Sequence, residues 1–167
     1  MNINRRILLI DDNHAIHADF RKILAPSSGV SPGLTDMEDE LFGESTQPVQ
    51  SDAFDLSSAF QGEDGFTLAS QAQAQGQPFA LAFVDVRMPP GWDGVETTLR
   101  IWEVAPDMQI VICTAYSDYS WEQVAEKLGK SDHFLILRKP FDPVEVQQLA
   151  HNLTARWSKE NAKATAA

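Results

Sequence analysis

Asp11, Asp12, Asp85, Thr114 and Lys139 offer three carboxylates, a hydroxyl and an ammonium, and each lies just past a short apolar run. Ile7-Leu8-Leu9-Ile10 leads into Asp11-Asp12, and Leu81-Ala82-Phe83-Val84 into Asp85. Ile110-Val111-Ile112-Cys113 leads into Thr114, and Leu135-Ile136-Leu137-Arg138 into Lys139-Pro140. Buried parallel strands read as continuous apolar runs. Open α/β sheets place their chemistry just beyond the carboxyl ends of the strands. If the four runs are neighbouring strands, the five polar groups converge on one edge. That set can hold Mg²⁺ and accept a phosphoryl group on an aspartate.

The elements that must position these residues alternate strand and helix five times. Strands are expected at 6–10, 53–57, 80–84, 109–113 and 134–138. Helices are expected at 14–24, 64–75, 94–105 and 120–128, with a fifth starting after Asp142-Pro143, an N-cap followed by proline at the first helical position. Ile16, Phe20, Ile23 and Leu24 share a face of helix one, and Val146, Leu149, Ala150, Leu153 and Trp157 share a face of helix five. Short βα connections imply a parallel sheet covered by helices on both sides. The fold expected is therefore α/β: a doubly wound, five-stranded parallel sheet in the flavodoxin-like order 2-1-3-4-5.

One segment breaks the rhythm. Residues 26–52 exceed a normal αβ connection and carry Pro26, Gly29, Pro32, Gly33, Gly43 and Pro48. They read as an acidic insertion between helix one and strand two, with a short capped helix at 35–43 whose apolar face is Met37, Leu41 and Phe42. The expected organisation is a domain over 1–153 containing the insertion, followed by a C-terminal helical extension or linker over 154–167.

Composition narrows the function classes. A hydrophobic content of 43% supports one ordinary core. No apolar run approaches the length of a membrane span. The single cysteine, Cys113, cannot form an internal disulfide and sits in an expected buried strand, which fits a reducing, cytoplasmic setting. The net charge is -11, and no Lys or Arg occurs between Lys22 and Arg87, a stretch with ten acids. This stretch reads as a solvated acidic surface or as one facing a basic partner. Direct nucleic-acid binding needs a basic footprint that the chain lacks.

The ordered set Asp11-Asp12, Asp85, Thr114 and Lys139-Pro140 resembles the receiver domain of two-component response regulators. The resemblance spans nearly the whole chain outside the insertion and the C-terminal tail. The segments from Asp85 to Gly94, from Thr114 to Trp121 and from Lys139 to Asp142 are similar to receivers associated with sensor kinases and cyclic-di-GMP enzymes.

The resemblance implies roles. Asp85 is the phosphoacceptor. Asp12, Asp85 and the backbone carbonyl of Arg87 bind Mg²⁺, Asp11 holds metal-bound water, Lys139 neutralises a phosphoryl oxygen, and Thr114 hydrogen-bonds another. The protein catalyses only its own phosphorylation and dephosphorylation. Its donor is a histidine kinase or phosphotransfer protein. Its output is a C-terminal domain, a partner protein, or a homodimer formed through helix four, strand five and helix five. The chain departs from the family where many receivers carry an aromatic residue three positions before the strand-five lysine. Ile136 stands there, leaving Phe134 or Tyr116 as substitutes.

Two other functions compete. A Mg²⁺-dependent aspartyl phosphatase would usually carry a second Asp two residues after the nucleophile, where this chain has Arg87. A phosphate-independent interaction module would not need the acidic pair, Asp85 and Lys139 together. Elsewhere, His14 and His17 have a spacing that could chelate a metal but read as surface residues, and His133 and His151 have no evident partners. Trp102 and Trp121 are expected to be partly buried on helices. Trp92, in the loop after Asp85, either senses the site or packs its loop.

Overall fold

The computed structural model describes residues 3–25, 53–115, 120–129 and 132–165. The insertion at 26–52, its expected helix and Tyr116 lie outside the described residues. Strand and helix alternate as β1 (Arg6–Ile10), α1 (His14–Leu24), β2 (Asp55–Ala59), α2 (Gly62–Ala74), β3 (Leu81–Asp85), α3 (Gly94–Val104), β4 (Gln109–Thr114), α4 (Trp121–Leu128), β5 (Phe134–Arg138) and α5 (Pro143–Thr165). All strand pairs are parallel, and the order is β2-β1-β3-β4-β5. This is the doubly wound, flavodoxin-like sheet expected from the sequence.

The runs of β1, β3 and β4 are continuously apolar because both of their faces are covered, whereas the edge strands β2 and β5 are only partly buried. Side chains alternate between faces with a period of two. Ile7, Leu9, Leu81, Phe83, Val111 and Cys113 pack with Phe20 and Leu24 of α1 and Val146, Ala150 and Leu153 of α5. Leu8, Ile10, Ala82, Val84, Ile110 and Ile112 pack with α2, α3 and α4 through Ala69, Ala72, Val95, Ile101, Val124 and Leu128. The ring of Phe83 is almost wholly buried at the centre, and its removal would cost about 3–5 kcal/mol. The small residues of α2 have a packing reason: a Cβ at Gly62 would run into the Thr97 hydroxyl of α3.

Helix ends follow their local signals. Asn13 caps α1 and Asp93 caps α3 through their side chains, and Ser120 forms a reciprocal capping box with Gln123 at α4. Asp142 Oδ1 accepts the Val144 N–H at 2.8 Å at the start of α5. β2 starts two residues later than expected. Phe54 does not join the ladder; its N–H bonds the Leu24 carbonyl at 3.1 Å and its ring meets His151 edge-on. α5 continues as helix to Thr165. Ser158 Oγ accepts the Asn4 N–H at 2.9 Å, and Arg156 pairs with Asp132, so this helix stays packed well past Leu153. Among the described residues, no helix is long and apolar enough to cross a membrane.

Candidate functional site

The central strands β1 and β3 are hydrogen-bonded neighbours, with Ile10 opposite Val84. The residues that follow, Asp11 and Asp85, therefore emerge side by side. Carboxylate oxygens of Asp11, Asp12 and Asp85 lie within 4.8 Å of one another. The Lys139 Nζ donates to Asp11 Oδ2 at 3.1 Å and to Asp85 Oδ1 at 3.2 Å. Asp11 and Asp85 are buried and Asp12 is exposed, so the cluster opens to solvent on the Asp12 side.

β4 and β5 supply the other half of the edge. Asp85 pairs with Cys113, which places buried Thr114 one step further out on β4. Thr114 pairs with Arg138, and its carbonyl accepts the Lys139 N–H at 2.8 Å. This bond continues the ladder to the residue that carries the ammonium.

The backbone behind the carboxylates is equally fixed. The Asp11 N–H bonds the Ala59 carbonyl at 3.2 Å, and Asp11 Oδ1 accepts the Asn13 N–H at 2.9 Å. The Asp93 cap accepts the Glu96 N–H at 2.8 Å, and the Gly94 N–H bonds the Val86 carbonyl at the same distance. The amino end of α3 is thus drawn against the backbone of Asp85.

Burial and charge set the protonation of the site. Burial, reinforced by the Asp11 charge, pushes Asp85 up from 3.8 to about 6, with Lys139 pulling the other way. Burial disfavours the Lys139 ammonium, yet the Asp11 and Asp85 carboxylates outweigh it and raise its pKa. Burial pushes the Cys113 thiol far up, so it packs as a neutral apolar side chain. A buried carboxylate that holds its proton unusually tightly gains from a cation beside it. The donors on offer are carboxylate oxygens, the ligand type of hard divalent cations, and one of them is exposed to admit an ion.

Of the residues singled out from the sequence, Lys139 contacts Asp11 and Asp85 directly, Asp12 joins them in the carboxylate cluster, and Thr114 lies on the same edge. Arg87 is exposed two residues beyond Asp85. Phe134 is buried opposite Ile110 at the far end of β5, away from the site edge, while Ile136 packs partly buried against the α2–α4 face. Trp92 faces Phe66 and Arg100, with ring contacts of 6.0 and 5.5 Å, so it packs its loop against α2 and α3. Trp102 is half-buried and donates Nε1–H to the Met108 carbonyl at 3.0 Å; Trp121 has no described side chain. His133 Nε2 lies 3.3 Å from Glu160.

One expectation is corrected. His17 is buried beside the site, whereas His14 is exposed as expected. The signal was present: His17, Phe20 and Leu24 follow the i, i+3, i+7 spacing of a buried helix face.

The comparisons agree with the geometry. The response regulator receiver domain family matches residues 46–151. The chain is 36% identical over 86 residues to the photosynthetic apparatus regulatory protein RegA of Cereibacter sphaeroides, covering 52% of this chain and 43% of that protein. It is 33% identical over 67 residues to sporulation initiation phosphotransferase F of Bacillus subtilis, covering 40% of this chain and 51% of that protein. The chain thus aligns with about half the length of these curated relatives. A CheY-like response regulator receiver domain protein from Methanospirillum hungatei superposes with a TM-score of 0.62 at 20% identity, covering 93% of this chain and 98% of that one. From the family match, with the fold and the carboxylate edge in accord, the chain belongs to the response regulator receiver domain family of two-component systems.

Proposed function

We propose that this receiver domain accepts a phosphoryl group on Asp85 from a histidine kinase or phosphotransfer protein. The observation that carries this reading is the Lys139 ammonium held between Asp11 and Asp85, at 3.1 and 3.2 Å, within a three-carboxylate cluster open at Asp12. The new O–P bond forms at an Asp85 carboxylate oxygen as the P–N bond to the donor histidine breaks and the imidazole keeps the electron pair. Asp12, Asp85 and the Arg87 carbonyl would hold Mg²⁺, with Asp11 beside them in the same carboxylate cluster. When bound, Mg²⁺ offsets the charge that carboxylates and phosphoryl oxygens would otherwise share. Lys139 neutralises one phosphoryl oxygen and Thr114 donates to another.

The resulting change passes along β4 and β5 to α4 and α5 without an aromatic swing from β5, because Ile136 occupies that position and Phe134 is already buried. The readout is a C-terminal output domain, a partner protein or a homodimer through the α4-β5-α5 face, in the cytoplasm. The domain is assigned to 1–153, with 154–167 as a C-terminal helical extension or linker leading towards that output. The role of Asp85 as a turnover catalyst is disfavoured by Arg87, an exposed cation where a phosphatase would place its general acid.

Mass measurement after treatment with acetyl phosphate and Mg²⁺ tests the reading. A receiver gains one phosphoryl group per chain. A phosphatase turns the donor over without accumulating label, and a phosphate-independent module gains none.

A further inference from the structure

His17 is the one buried polar side chain of α1, and both of its ring nitrogens are engaged. Nε2 lies 2.7 Å from the backbone carbonyl oxygen of Asp11, and Nδ1 lies 2.9 Å from Ser58 Oγ. A carbonyl oxygen only accepts, so Nε2 carries the hydrogen. Ser58 Oγ accepts from Arg21 Nη2 at 2.8 Å, which leaves its own hydrogen for Nδ1. The order Arg21, Ser58, His17, Asp11 is thus a directed chain of donors that selects one tautomer and one ring orientation. Phe60 holds the ring from the side, 4.5 Å away.

The end of that chain is the first residue of the acidic pair. Asp11 is held at four atoms: its N–H by Ala59, Oδ1 by Asn13, Oδ2 by Lys139, and its carbonyl by His17. The His17 bond is the one that ties the Asp11–Asp12 backbone to the body of α1. A cation site of this kind is as good as the placement of its carboxylates, and partners behind the ligands set that placement.

We propose that His17 is a positioning residue of the acidic site, holding the Asp11–Asp12 backbone so that both carboxylates face Asp85 before a cation or phosphoryl group arrives. This inference rests on the phosphoacceptor reading of the site.

Calorimetric titration of the full chain with Mg²⁺ alone tests it. His17→Leu should weaken Mg²⁺ binding about tenfold, the low end for loss of a partner behind a ligand. In His17→Gln the amide nitrogen takes the place of Nε2, and affinity should return to within about twofold of wild type. In His17→Asn the amide reaches only as far as Nδ1, towards Ser58, so affinity should stay as low as in His17→Leu. Equal affinities across the series, with only thermal stability changed, would mean that His17 is a packing residue and overturn the inference. If the variants do not fold, nitrogen-15 NMR of the wild type decides. Hydrogen on Nε2 and a His17 signal that shifts with Mg²⁺ support the role; hydrogen on Nδ1, or a signal indifferent to bound Mg²⁺, overturns it. A wild type that neither binds Mg²⁺ nor takes up phosphoryl groups overturns the reading of the site itself, and this inference with it.

Discussion

Gly94 abuts the backbone of Asp85 so closely that a Cβ at Gly94 would overlap the Asp85 carbonyl oxygen. The contact follows from the Asp93 cap and the Gly94-to-Val86 hydrogen bond, which draw α3 onto the end of β3. Gly94→Ala must therefore move either the helix or the residue carrying the reactive carboxylate. We expect a loss of roughly 1–3 kcal/mol, the range for overpacking a close contact, together with slower phosphoryl uptake. Urea denaturation and a labelling time course check both; a variant equal to wild type in each would show that the contact relaxes freely.

A second prediction concerns pH. The folded pKa of Asp85, about 6, lies above the ordinary 3.8, so the folded state holds this proton more tightly than the unfolded chain. Stability in Mg²⁺-free buffer should fall as pH rises from about 4 to about 6, by on the order of 2 kcal/mol. The full cost is then present at neutral pH. Asp85→Asn removes the titration, so the part of the decline owed to Asp85 should vanish and the variant should be more stable than wild type at pH 7. Urea midpoints measured across this range would contradict the account if the two proteins ran parallel.

The burial and the neighbouring Asp11 charge that raise Asp85 also predict stabilisation by metal. Mg²⁺ without any phosphoryl group should raise Tm, because a ligand that binds only the folded state stabilises it by mass action, about 2.7 kcal/mol at a hundredfold excess over Kd. Asp12→Ala should weaken this most. Asp12 is exposed, while Lys139 already engages Asp11 and Asp85. Thermal melts with and without Mg²⁺ read this out. A wild-type Tm indifferent to millimolar Mg²⁺ would count against the metal site.

The signalling face gives a fourth expectation. Phosphoryl contacts at Thr114 and Lys139 are the differential interactions that could bias β4, β5 and the helices beside them, and a ligand shifts an equilibrium only through such differences. A beryllofluoride mimic on Asp85 should alter hydrogen exchange mainly in residues 116–128 and 134–138. Thr114→Ala should still accept phosphate but lose most of that response. Changes confined to α1 would place the output elsewhere.

Much of this molecule is legible in its sequence because the three central strands are buried on both faces. The runs at 7–10, 81–84 and 110–113 cannot be anything other than core, and the polar residues that end them must lie on one edge once the strands are parallel neighbours. What escaped depends on contacts between distant or non-periodic parts. Phe54 looks like a strand residue, yet packs against His151 beside the ladder. His17 bonds a backbone carbonyl and a β2 hydroxyl, partners that no side-chain spacing reveals. Trp92 follows Asp85 in sequence but turns to Phe66 and Arg100. The length of α5 is secured by Ser158 bonding Asn4 at the opposite end of the chain.

The central claim is that Asp85 takes the phosphoryl group. An aspartyl phosphate is reduced by borohydride to homoserine, whereas a free carboxylate is not, so reduction marks the acceptor. After treatment with acetyl phosphate and Mg²⁺, borohydride reduction and peptide mass mapping should find homoserine at position 85 and at no other aspartate, with no product from Asp85→Asn. Homoserine at Asp11 or Asp12, or undiminished labelling of Asp85→Asn, would contradict the account.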